Sequence, residues 1–188
     1  MVLLLLFIVV ACLAAQEKMD DMKMMKGVQG SFVRQSMMLE KELTSLGDAV
    51  PQDKYNWRPM EGVRSVAESF LHAAVGNYVT LKTMAGKLPE GVDPMKLEKS
   101  TTDKAKITDE VRKSFKAIND YVASIPDSDL GRQVNFFGMT MSVGDMIMFA
   151  SGHQHETLGQ AIAYARMNKI VPPWTEEQQK REKEGMKK

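Results

Sequence analysis

Residues 142–174 read as one long helix, and no other stretch limits the fold so strongly. Ser142 and Asp145 have the spacing of a capping box, in which a hydroxyl and a carboxylate each satisfy an orphan amide of the first turn. Pro172-Pro173 closes the far end. Met146, Phe149, His153, Thr157, Gln160 and Tyr164 recur at steps of three and four, which places them on one face. A helix of this length with such a stripe needs partner helices to cover it, so a bundle is expected. An imidazole inside that stripe binds a metal, moves a proton or satisfies a neighbour. His155 stands about 200° around the helix from His153 and cannot join it as a ligand, whereas Glu156, three residues on, can reach the same site.

The partner helices are legible. Residues 32–50 carry Leu39, Leu43, Leu46 and Val50 at helical steps, with Gly47 and Pro51 at the end. After a connection holding Tyr55 and Trp57, the latter read as a lid over one end of the core, Ser65 and Glu68 form a second capping box. The helix it opens, to about Ala85, is apolar on most sides and therefore buried, with His72 and Asn77 as polar groups inside it. Glu68 shares the face of His72, but capping accounts for it. Residues 86–103, with Pro89, Gly91 and Pro94, form a linker long enough to cross from one end of a bundle to the other. A third helix from about Thr108 shows the stripe Val111, Phe115, Ile118, Val122 and Ile125 before Pro126. Residues 130–141 alternate around a glycine, as a small hairpin would. The fold class expected is an all-α four-helix bundle over residues 31–174, with a long crossover between the second and third helices.

The flanks carry other signals. Residues 1–15 read as a signal peptide: the apolar run is shorter than the roughly 20 residues a membrane span needs, and Ala14-Ala15 precede a polar residue. No Lys or Arg precedes the run. Export to the periplasm or the extracellular space is expected. The alternative is a lipoprotein, since Val9-Val10-Ala11-Cys12 has the form of a lipobox, and only a lipidated Cys12 would bring a membrane into play. Cys12 is the only cysteine, so the folded domain has no disulfide and no cysteine-bound zinc. Residues 16–30 read as a flexible Met-rich leader, where Met19, Met22, Met24 and Met25 offer a soft Cu(I) site as an alternative to a frayed helix. Residues 175–188 read as a charged, disordered tail. With 25 basic against 24 acidic residues the net charge is +1, and no basic stripe with interleaved aromatics appears, which argues against nucleic acid. Serine-hydrolase and phosphate-loop motifs are absent.

The segments YNWRPMEGVRSVAESFLHAAVGNY and GHQHETLGQAIAYARMNKIVPPW resemble the two signature regions of the DinB-like superfamily, the DinB/YfiT-like metalloenzymes. The similarity runs from residue 32 to residue 174. It implies a DinB-type bundle, often dimeric, with a divalent metal such as zinc or nickel held near one end by three histidines. Known members include thiol-dependent transferases and isomerases acting with mycothiol or bacillithiol. Residue by residue, the resemblance assigns metal ligation to His72 and His153, and the third histidine position is occupied here by Thr157. A threonine hydroxyl is a poor ligand for zinc or nickel, which makes Glu156 the nearest group to complete the set. Two functions follow as expectations. One is an exported metal-dependent enzyme for a small-molecule substrate, with His72, His153 and Glu156 at the metal. The other is a metal-free relative acting as a binding or scaffold domain, in which His72, His153, Gln160 and Tyr164 form an internal hydrogen-bond network.

Overall fold

In a computed structural model, residues 26–185 are described; the apolar leader, Cys12 and Met19, Met22, Met24 and Met25 lie outside them. The helices are α1 (Gly27–Ala49), α2 (Val66–Ala85), the short α3 (Pro94–Leu97), α4 (Lys104–Ser124), α5 (Val143–Met167) and α6 (Pro173–Gly185). A hairpin of β1 (Gln133–Phe136) and β2 (Met139–Ser142) leads into α5, pairing Phe136 with Met139 and Gln133 with Ser142. Both expected capping boxes form. The Glu68 amide donates to Ser65 Oγ at 3.2 Å, and the Ser65 amide donates to the Glu68 carboxylate at 2.7 Å. At the start of α5 the same exchange links Ser142 and Asp145 at 3.0 Å in both directions. Asn168 finishes α5 by donating its side-chain amide to Tyr164 O at 2.9 Å.

Helices α1 and α2 each pack against both α4 and α5. Their side chains build two apolar halves. One holds Leu43, Leu71, Phe115 and Ala161, with Trp57 and Trp174 packed on its end, and the other holds Phe32, Met84, Ile118 and Ile147. The order in which each helix visits the halves gives its direction. Helices α2 and α4 enter from the first half and leave through the second, whereas α1 and α5 run the opposite way. Two consecutive long helices pointing the same way require the crossover that residues 86–103 supply.

Between the halves lies a polar layer with one residue from each long helix. Gln154 Nε2 donates to Ser36 Oγ at 3.2 Å and to Asn77 Oδ1 at 2.9 Å, and Asn77 Nδ2 donates to Ser114 Oγ at 3.1 Å. All four are buried. Such a layer favours the one register that pairs its members, because any slip leaves an amide buried without a partner.

The structure departs from several sequence expectations. Helix α1 begins at Gly27, so the end of the leader is helical, and buried Gln29 donates to Ile125 O at 3.1 Å and to Asp127 at 2.9 Å. Helix α4 begins earlier than Thr108, capped by Asp103, which accepts from the Lys106 amide. The tail from Pro173 to Gly185 is helical rather than disordered, with no buried residue. On α5 the buried stripe runs through Ile147, Ala150, Gln154, Thr157 and Ala161, so His153 sits at its edge and Phe149 is 40% exposed. One residue is 100° of helix, which is enough to exchange the core position from His153 to Gln154.

Candidate functional site

Helices α2 and α5 meet through a pair of imidazoles. His72 Nε2 and His153 Nε2 stand 3.2 Å apart, with ring centroids 5.0 Å apart and planes tilted by 58°. A glycine makes the approach possible. Gly76 lies one turn after His72, and a Cβ there would come 3.0 Å from His153 Nε2 and closer still to Cε1 and Nδ1. Glycine inside a helix costs about 1 kcal/mol relative to alanine, and the seat for His153 is the reason it stands here.

The crossover supplies the third member. Glu98, at the end of α3, places Oε2 2.8 Å from His72 Nδ1, and its Oε1 accepts from Arg64 Nε at 2.8 Å. Burial pushes the Glu98 carboxyl up, but the hydrogen bonds and charges of Arg64 and His72 outweigh it and hold the group below its ordinary value. An ionised carboxylate only accepts, so His72 carries its proton on Nδ1 and, as a neutral ring, turns the Nε2 lone pair toward His153. His153 is held below its ordinary value by burial first, then by the charge that His72 carries whenever it is protonated and by the Arg64 guanidinium, with Glu156 opposing.

That shift sets a pH dependence. In metal-free protein the unfolded chain takes up a proton near the ordinary histidine value of 6.5, where the folded His153 ring still refuses it. The unfolded state then binds more protons, so acidification destabilises the fold until the lowered folded value is passed. Urea midpoints are expected to fall as the pH drops from neutral through the ordinary histidine value, and His153→Gln is expected to flatten that part of the profile. An equal slope in the variant would place the proton uptake elsewhere.

The other expected site residues fall as follows. Glu156 is exposed and reaches His153 through its charge. Thr157 is buried, and its hydroxyl donates to Gln154 O at 3.0 Å. His155 is exposed and donates from Nδ1 to Ser151 O at 2.8 Å. Gln160 is half-buried, and Tyr164 packs edge-on against Trp57 at 5.7 Å, so the expected network of these two with the histidines is replaced by Arg64, Glu98, His72 and His153. Gly159 faces open space. Among the described residues no group of three His, Cys, Asp or Glu is arranged to hold a metal ion. Arg64 and Glu98 escaped the sequence reading because they lie 34 positions apart and outside any periodic stripe. The signal that was available is Gly76, placed four residues after His72 within an otherwise strong helix.

Chemically, the spacing of the pair can be compared with that of two ligands on a divalent ion. Two imidazoles on a tetrahedral zinc, at about 2.0–2.1 Å each, stand about 3.3 Å apart, close to the separation of the two Nε2 atoms. Glu98 on Nδ1 is the outer partner that a metal-bound histidine usually has. The residues therefore fit two ligands, with the other positions left to solvent or substrate.

Fold and site together define a four-helix-bundle protein with a carboxylate-buttressed histidine pair between its second and last long helices. The chain belongs to the DinB superfamily, whose family model matches residues 32–161, more than half of its length. It is similar in fold to a DinB-like protein from Bacillus cereus, at 19% identity and a TM-score of 0.66 over 76% of this chain and 93% of that one. A DinB-like protein from Bacillus subtilis gives 15% identity and a TM-score of 0.61 over 75% and 93%. A conserved protein from Enterococcus faecalis gives 15% and 0.62 over 76% and 97%. No curated protein matches the chain.

Proposed function

We propose that this chain is a divalent-metal-dependent enzyme of the DinB type acting on a small molecule, with His72 and His153 as its protein ligands. The observation that carries the reading is the pair of Nε2 atoms 3.2 Å apart, with the His72 tautomer held by Glu98. When bound, zinc or nickel would supply Lewis-acid activation of water or a thiol. The chain's own groups prepare the site. Arg64 keeps Glu98 ionised and in place, Glu98 orients His72, and the Gly76 seat brings His153 to it. The apolar leader of residues 1–15 supports a location outside the cytoplasm.

A second reading, a metal-free binding domain, has one observation in its favour. The same 3.2 Å contact closes as a hydrogen bond from His153 Nε2 to the His72 lone pair, and Thr157 spends its hydroxyl on the helix backbone. Metal titration separates the two. Zinc or nickel is expected to raise the melting temperature of the wild type and to leave His72→Ala unmoved, while Glu98→Gln weakens the metal by about 10–100-fold. No stoichiometric metal and no shift in the wild type would leave the second reading standing.

A further inference from the structure

We infer that the histidine pair is one end of a groove whose other end is a pocket for an aromatic ring, so that the substrate is a ring carried on a polar, reacting head. The identity of the chemistry at the head rests on the metal reading above; the ring pocket does not. His72, Val79 and Thr83 share one face of α2 at steps of seven and four, with His153 seated over Gly76 between His72 and Val79. The crossover makes one wall, with Glu98 at the histidine end and Pro94 and Met95 at the other. Helix α5 and the hairpin make the opposite wall as a run of rings: Phe136 lies 4.8 Å from Phe149, and Phe149 stacks over His153 at 6.3 Å and 21°.

The far end opens into a cavity of about 260 Å³ lined by Val79, Thr83, Pro94, Met95, Phe136 and Phe137. The depression is open to solvent on the side of Met95 and Phe137, and its volume is enough for one or two fused rings laid against Val79 and Phe136. Val79 is two turns from His72, which sets the span from ring to reacting group at about 10 Å. Lys82 and Asp93 also line it.

Two apolar side chains at this end are mostly exposed, although Phe137 packs edge-on against the core ring of Phe136 at 4.7 Å. Met95 is 90% exposed and Phe137 is 81% exposed, although both line the cavity. Phe137 also holds a φ of +49 at the hairpin tip, followed by Gly138 at +86. That turn type favours Asn-Gly, and an aromatic residue in the left-handed region is disfavoured. Asparagine would suit the turn better; the contact with Phe136 and the pocket both give the ring a reason to stay.

Anilinonaphthalene sulfonate, an aromatic anion that fluoresces when bound in an apolar site, is the probe. Wild type is expected to bind it saturably at one site. Phe137→Asn is expected to weaken it by about tenfold while the melting temperature holds or rises, and Val79→Trp, which fills the cavity, to abolish it. The zinc-induced thermal shift is read in parallel. Loss of probe binding with the zinc shift retained locates the ring pocket apart from the metal ligands, and probe behaviour as expected with no zinc shift in the wild type defeats the metal reading alone. Probe binding unchanged in both variants, or no saturable binding by the wild type, overturns the pocket.

Discussion

Gly76→Ala is expected to separate the two histidines and to destabilise the protein by about 1–3 kcal/mol, the cost of overpacking a well-filled site. The sign is the informative part. In an ordinary helix interior this substitution stabilises by about 1 kcal/mol, because alanine loses less backbone freedom on folding. Here the added Cβ would fall within the imidazole of His153, so the ring must leave its seat. Displacing it also removes the stacking of Phe149 and the contact with His72 Nε2. Chemical unfolding reads the stability, and the zinc-induced shift in melting temperature reads the site; both are expected to fall together. A gain in stability with an unchanged zinc shift would mean that His153 does not rest on Gly76.

Thr157→His is expected to act in opposite directions on the two forms of the protein. The position is one turn beyond His153 and is where the family resemblance places a third histidine. Thr157 is 3% exposed, so the larger ring must make room, at about 1–3 kcal/mol of metal-free stability. With zinc present, a third nitrogen completes the usual protein set of a catalytic zinc site. At a hundredfold excess over the dissociation constant, a ligand that binds only the folded state adds about 2.7 kcal/mol, which corresponds to roughly 5–11 °C in a chain of this size. Thermal scans with and without zinc measure both terms. A shift no larger than that of the wild type would show that the side chain at this position does not face the histidine pair.

Much of the bundle is written locally. Ser65 with Glu68 and Ser142 with Asp145 mark two helix starts because an amide without an intrahelical partner must find a nearby side chain, and that chemistry spans only three residues. The stripes of α1 and α4 likewise report an apolar face whatever covers it. His72 and His153 could be singled out as rare polar groups in apolar surroundings, and motif resemblance assigned them to one site. On α5, by contrast, polar and apolar residues alternate around the helix, so the expected stripe is met at Met146, Thr157 and Tyr164 but missed in its middle, where Ala150 and Gln154 are buried instead of Phe149 and His153.

What the sequence determined by itself is the number, order and approximate limits of the long helices, because propensity, capping and periodicity act within a turn or two. What only the tertiary structure decided is the company those helices keep. Glu98 comes from a linker with no periodic signal, yet the crossover between parallel α2 and α4 carries it to His72 and Arg64. Gly76 gains its meaning from a ring on another helix, and Phe137 from a cavity between the hairpin, α2 and the crossover. The physical reason is common to all three: contacts between distant segments are chosen by packing of the whole bundle, and no local energy term records them in advance.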